Sequence, residues 1–182
     1  MKVFAVMGSP RKEENTDILL DSCLHGIREA HPKAEIVKVY PQEMNIGFCV
    51  ACNICTTPEA ECCVIQDSMQ QVYKDMSESD VWIFATPMYW WNMSAQLKVF
   101  VDRMHGLRKR PANLKTAVLV TYAGPDPTEG VDIISRAFSN SFDFMGCVKS
   151  YECIGAITGE VHVRDNEKVK KDAFELGKRL AT

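Results

Sequence analysis

The chain alternates between two hydrophobic rhythms. Val3–Met7 is a continuous apolar run, the pattern of a strand buried on both faces. Gly8-Ser9-Pro10 breaks it, a polar stretch follows, and then Ile18, Leu19, Leu20, Cys23, Leu24 and Ile27 recur at helical spacing. A helix is predicted from about Thr16 to Ala30, ended by Pro32. Glu35–Tyr40 reads as a second strand. A long connection, Pro41–Gln66, leads to a helix capped by Asp67 with Met69, Val72, Tyr73 and Met76 inward. Val81–Ala85 is a third strand, followed by an aromatic loop and a helix carrying Leu97, Phe100, Val101 and Met104. Thr116–Thr121 is a fourth strand, followed by the loop Tyr122–Thr128. Ile133, Ile134, Ala137, Phe138 and Phe142 mark another helix, Cys147–Ile157 a fifth strand. Asp165 is placed to cap a final helix with Val169, Ala173, Leu176 and Leu180 inward.

Five strands alternating with helices predict an α/β fold, a doubly wound parallel sheet with helices on both faces. Periodicity does not fix the strand order. An order of 2-1-3-4-5 would make the first and third strands flank a switch point, with ligand beyond their carboxyl ends. Those ends are the two unusual loops, Ser9–Thr16 and Pro87–Met93. A length of 182 residues without linker or repeat suits one domain, 1–182. The net charge of −3 gives no reason to expect nucleic acid or an anionic membrane. Val3–Met7 is too short for a signal-peptide core and no later run would span a bilayer, so the expectation is a soluble, cytoplasmic protein.

The first loop joins a strand to a helix start, an arrangement that offers backbone N–H groups to a phosphate. Ser9, Asn15 and Thr16 add side-chain donors, and Arg11 adds a planar fork. It is not a Walker A loop, since no Gly-Lys-Ser/Thr closes it, nor a three-glycine dinucleotide fingerprint. In the other loop, Pro87, Met88, Tyr89, Trp90 and Trp91 can lie against a planar ring while Asn92 bonds its edge. Each tryptophan could instead pack in the core or at a subunit contact. A phosphate end and a ring end in this topology point to FMN. No Cys-x5-Arg loop supports a low-molecular-weight tyrosine phosphatase. Ala85-Thr86 stands where a response regulator would have an aspartate.

Two segments, GSPRKEENT and PMYWWNMSAQLKVFVDR, resemble the flavodoxin-fold NAD(P)H-dependent FMN reductases, whose members carry GSPR-x3-NT and P-x-Y-x-x-N-x-S-x-x-L-K-x-F-x-D-R. The resemblance implies a flavodoxin-like five-stranded sheet in the order 2-1-3-4-5. It also implies an FMN-dependent oxidoreductase. Electrons would pass from NAD(P)H through the flavin to a quinone, a nitro or azo compound, or a protein acceptor, without a side-chain acid or base. Carried over residue by residue, Ser9, Arg11, Asn15 and Thr16 would hold the FMN phosphate. Pro87–Asn92 would contact the isoalloxazine, and Tyr122 and Gly124 would close the other side. Relatives form dimers or tetramers, so a homodimer or homotetramer is expected. Glu14 stands where a glycine is usual, which would change the phosphate loop. Trp91 replaces a small residue, so the flavin face would be narrower or a partner subunit would receive the ring.

Eight cysteines are many for a reducing compartment. Cys49-x2-Cys52-x2-Cys55-x6-Cys62-Cys63 resembles the compact motif of iron–sulfur flavoproteins, a branch with the same fold. Four thiolates at Cys49, Cys52, Cys55 and Cys62 could hold a [4Fe–4S] cluster, making the chain an electron carrier. They could also hold zinc, or pack a loop without metal. Cys23, Cys147 and Cys153 read as core residues. The basic run Arg108–Arg110 could steer a nicotinamide phosphate. His105 could cap a helix end. A non-redox reading keeps the fold and makes the tryptophans a partner-binding surface.

Overall fold

The computed structural model describes residues 1–124 and 128–182, and of Thr128 the backbone alone. Its strands are β1 (Lys2–Met7), β2 (Glu35–Val39), β3 (Val81–Tyr89), β4 (Asn92–Met93), β5 (Leu114–Tyr122) and β6 (Val148–Ile157). Its helices are α1 (Asn15–Ala30), α2 (Met69–Ser77), α3 (Ala95–Arg103), α4 (Thr128–Met145) and α5 (Glu167–Ala181). The parallel order is β2-β1-β3-β5-β6, with β4 paired antiparallel to the end of β3. Counted over the parallel strands alone, this is the expected 2-1-3-4-5. The aromatic loop after the third strand is therefore a β-hairpin that lengthens β3 to Tyr89 and adds a sixth, two-residue strand.

The sheet divides the interior in two because successive strand residues face opposite sides. On β1, Val3, Ala5 and Met7 join α1 and α5, whereas Phe4 and Val6 join α2, α3 and α4. Continuous apolar strands are what a sheet covered on both faces requires. Among the described residues, no helix is long and apolar enough to cross a membrane.

Two local expectations, both of helix caps, are corrected. The final helix is capped by Asn166, not Asp165: its side-chain oxygen accepts the Val169 N–H at 3.2 Å. Ser68 occupies the cap position of α2, although the Asp67 carboxylate does accept the Met69 N–H at 2.9 Å. The buried stripe of α4 runs through Ile134, Phe138 and Phe142, and Ile133 and Ala137 lie outside it.

α1 and α5 meet through a glycine pair. A Cβ on Gly26 would strike the Phe174 carbonyl, and one on Gly177 would strike the Cys23 carbonyl. Neither neighbour is a flexible side-chain end, so backbone would have to move. Gly177→Ala is expected to lower the unfolding free energy by about 2 kcal/mol or more, measured by urea denaturation. An unchanged midpoint would show that the helices separate freely.

Candidate cofactor cleft

The loops that follow β1, β3 and β5 converge at the carboxyl edge of the sheet. Gly8 is the junction. Its N–H donates to the Ala85 carbonyl at 2.7 Å, and its carbonyl accepts from the Ser94 hydroxyl. A side chain there would press on Ala85 and Leu97, so only glycine lets the backbones approach. Ser94 also accepts the Leu97 N–H, capping α3, while its own N–H donates to Thr86 Oγ1 at 3.0 Å. At the third strand end, the Thr16 and Thr121 hydroxyls meet at 2.6 Å, both buried.

The first loop is folded by its own side chains. Ser9 is buried, and its Oγ accepts the Arg11 N–H at 3.1 Å. Arg11 is exposed and forms no ion pair with the described residues. The left-handed position is Glu13 (φ 57°), whose N–H donates to Asp17 Oδ2 at 2.8 Å. Asp17 is buried and ion-paired to Lys38 at 2.6 Å. Glu14 itself is extended (φ −106°, ψ −174°), a conformation open to any residue. The departure from glycine at this position therefore leaves the turn intact.

A strap from the far end of the chain closes over this loop, and the sequence carried no pattern to reveal it. Asn15 Oδ1 accepts the Val163 N–H at 2.7 Å, His162 Nε2 lies 2.9 Å from Glu14 Oε2, and Arg164 donates to the Glu13 carbonyl. The His162 hydrogen bond holds the Glu14 carboxyl below its ordinary range, helped by the charges of His162 and Arg11. With Glu14 and Asp17 both paired, what the loop presents is mostly donors. These are the Ser9 hydroxyl, the Arg11 guanidinium, the Asn15 amide and the first N–H groups of α1, which have no intrahelical acceptor. That donor set fits a phosphate.

On the other side, Pro87 is buried, Met88 half-buried and Tyr89 exposed. Tyr89 pairs with Asn92 across a two-residue turn made of Trp90 (φ 51°) and Trp91 (φ 57°). Two left-handed residues make this a type I′ turn, normally Asn-Gly, and such positions cost bulky residues of order 1–3 kcal/mol each. Trp90 is 91% exposed and Trp91 56%. The structure thus sets the tryptophans at the hairpin tip, while Pro87–Tyr89 and Asn92 stand nearer the sheet edge. Tyr122 lies at the end of β5, where its carbonyl accepts from the Thr158 N–H at 2.7 Å. Around Gly124 the space is open, and the loop expected over Tyr122–Thr128 passes at 125–127 outside the described residues.

The sequence profile of the NADPH-dependent FMN reductases matches residues 1–147. The chain belongs to this family. An iron–sulfur flavoprotein of Archaeoglobus fulgidus is 32% identical over 186 residues, covering 100% of this chain and 79% of the relative. Another, of Methanocaldococcus jannaschii, is 38% identical over 108 residues, covering 59% of this chain and only 54% of that relative. Among solved structures, an NAD(P)H:quinone oxidoreductase from Methanothermobacter marburgensis superposes with a TM-score of 0.76 at 17% identity, covering 100% of this chain and 98% of that one. An FMN-dependent NADH-azoreductase of Bacillus anthracis, solved with FMN, gives 0.68 at 11% identity, each chain covered in full. At those identities the likeness concerns the fold alone, which is flavodoxin-like.

The cysteine loop is anchored apart from this cleft. Arg103, 1% exposed, donates to the Gly47 carbonyl at 2.8 Å and to Asp67 Oδ2 at 2.6 Å. Asp67 also accepts the Gly47 N–H at 2.9 Å, and the Ser68 N–H donates to the Asn45 carbonyl. The residues between Gly47 and Asp67 form a large Ω-shaped excursion clasped at its base. Cys49 and Cys52 are exposed, Cys55 and Cys62 half-buried, Cys63 buried. Burial pushes the Cys55 thiol up, and the neighbouring Cys63, Cys52 and Cys49 push it further. Cys62 donates to Gln70 Oε1 at 3.0 Å. Among the described residues, no three Cys, His, Asp or Glu side chains form a group that could hold a metal ion. Cys23 is fully buried as expected, and burial raises its thiol to about 12; Cys147 and Cys153 pack only partly against the core.

Burial opposes the charge of Asp67. Hydrogen bonds from Arg103, Gly47 and Met69 outweigh it and keep the carboxyl below its usual range. A carboxyl so depressed stabilises the fold above its unfolded value of about 4, and that stability is lost as pH falls through the lower folded value. Asp67→Asn, which strands Arg103, is expected to cost roughly 3 kcal/mol at pH 7 and to flatten the acid limb of stability against pH. Denaturation at several pH values checks both. A variant as stable as the parent chain would show that the clasp is dispensable.

Proposed function

We propose that this chain binds FMN in the cleft between the two loops and passes electrons from a reduced nicotinamide to a second substrate: a quinone, a nitro or azo compound, or a protein acceptor. The observation that carries this reading is the joining of three loop ends through Gly8–Ala85, Ser94–Gly8 and Thr16–Thr121. It brings the donor-rich turn to the same sheet edge as the end of β3 and its aromatic hairpin. Membership in the NADPH-dependent FMN reductase family supports it.

In this reading Ser9, Arg11, Asn15 and Thr16 hold the phosphate with the N-terminal N–H groups of α1. Pro87, Met88, Tyr89 and Asn92 orient the ring, with Tyr122 and Gly124 at the neighbouring strand end. Bound FMN supplies the hydride and electron chemistry. The protein's residues position it, and no side chain has to move a proton. The nicotinamide and the acceptor would use the same open face in turn.

FMN should quench its fluorescence on titration into the purified protein and bind at least about 10-fold more tightly than riboflavin, which lacks the phosphate. Arg11→Ala should remove most of that preference. Equal affinity for the two flavins, or no binding of either, would contradict the reading.

A second reading adds a [4Fe–4S] cluster at Cys49, Cys52, Cys55 and Cys62. The clasped loop, which carries Cys49, Cys52, Cys55, Cys62 and Cys63 between Gly47 and Asp67, favours it, as do the names of the relatives. Thiol chemistry suits such a cluster, but the four groups as placed do not form a shell. Anaerobic reconstitution followed by iron and sulfide analysis decides the matter. About four irons per chain are expected if the cluster forms, and none would remove this reading.

A further inference from the structure

Helix α1 begins with a carboxylate where an anion site would not want one. Glu14 is its N-cap residue. A negative charge there is drawn to the same N-terminal N–H groups that a phosphate would use, and it repels the phosphate itself. Yet the Glu14 side chain makes no capping hydrogen bond to the helix. Its Oε2 lies instead 2.9 Å from Nε2 of His162, in the segment joining β6 to α5. That hydrogen bond, with the charges of His162, Arg11 and Arg164, favours the ionised carboxylate in this position.

The segment that holds Glu14 is itself held. Val163 is fully buried in the core shared by α1 and α5. The Asp165 N–H donates to the His162 carbonyl at 2.9 Å and the Asn166 N–H to the Val163 carbonyl at 3.1 Å. Lys170 donates to the Arg164 carbonyl at 2.7 Å. His162 Nδ1 accepts the Arg164 N–H at 3.1 Å, so the neutral ring carries its proton on Nε2 and donates it to Glu14. Two further bonds reach the turn. The Val163 N–H donates to Asn15 Oδ1 at 2.7 Å, which leaves the amide NH2 as the end that an anion would meet. Arg164 donates to the Glu13 carbonyl at 3.3 Å.

We propose that His162 is a positioning residue of the phosphate site, a latch that draws the Glu14 carboxylate off the start of α1 so that the turn admits a phosphate monoester. Val163 assists by committing the Asn15 oxygen and leaving its amide donors for the anion. This role rests on FMN being the ligand of the cleft. The side chains of His162 and Glu14 are 29% and 42% exposed, and an ion pair so exposed contributes little to the stability of a fold. Its effect falls on which negative charge occupies the helix start. Without His162 the carboxylate is free to turn toward the N–H groups, and a phosphate must then displace it.

Fluorescence titrations of the full chain with FMN and with riboflavin test the latch. Riboflavin lacks the phosphate, so a general structural defect weakens both flavins, whereas a freed Glu14 weakens FMN alone. His162→Ala should lower the affinity for FMN about 10-fold and leave that for riboflavin within about 2-fold. His162→Gln, which keeps a donor within reach of Glu14, should retain most of the preference for FMN. Glu14→Gln removes the competing charge, so adding His162→Ala to it should cost FMN less than about 2-fold. A His162→Ala chain with the parent's ratio of FMN to riboflavin affinity, or a double variant as weak for FMN as His162→Ala alone, overturns the latch. A parent chain that binds both flavins equally, or neither, overturns the assignment of FMN and the latch with it.

Discussion

The closeness of β1 to the start of α3 is the constraint on which the cleft depends. Gly8 sits at that point, with no room for a side chain, and uses both of its backbone polar groups on the third strand's turn. Buried backbone groups must find partners, and here those partners belong to the other loop. The donor turn and the ring wall are therefore held in fixed relation by the main chain, before any ligand arrives. Ser94 extends the link by capping α3 and reaching Thr86 with its own N–H. Preorganised donors lose little freedom on binding, which is how a short polar turn can hold an anion firmly.

The same economy appears at the cysteine loop, where a buried Arg103–Asp67 pair ties down both ends of a long excursion. Arg103 lies at the end of α3 and Ser94 at its beginning. One helix thus fixes the cleft at its first turn and the cysteine loop at its last. Among the described residues the Nε of Arg103 has no partner, so the guanidinium depends heavily on Asp67. Changes in the cysteine loop that shift Asp67 would be felt at the end of α3.

Much of this was legible in the sequence because it rests on strong local signals. Continuous apolar runs gave the buried strands, and the breaks at Gly8 and Pro87 placed both loops at one edge. The hairpin was not legible. A two-residue I′ turn is normally announced by Asn or Gly, and Trp90-Trp91 carries neither, so the local cost must be met by something outside the turn. The strap of His162, Val163 and Arg164 was also hidden, because contacts across some 150 residues leave no periodic trace. The choice of Asn166 over Asp165 as cap depended on one residue of register, which two adjacent capping residues leave undecided. The outward faces of Ile133 and Ala137 were hidden in an apolar pattern that fits either side of the helix.

The central claim is that the two loops act as one binding edge. Hydrogen–deuterium exchange with and without FMN tests it most directly. Peptides covering residues 8–17, 86–94 and 119–124 should gain protection together at a common FMN midpoint, while residues 48–63 stay unchanged. Protection confined to one loop, or absent from all three segments, would contradict the account.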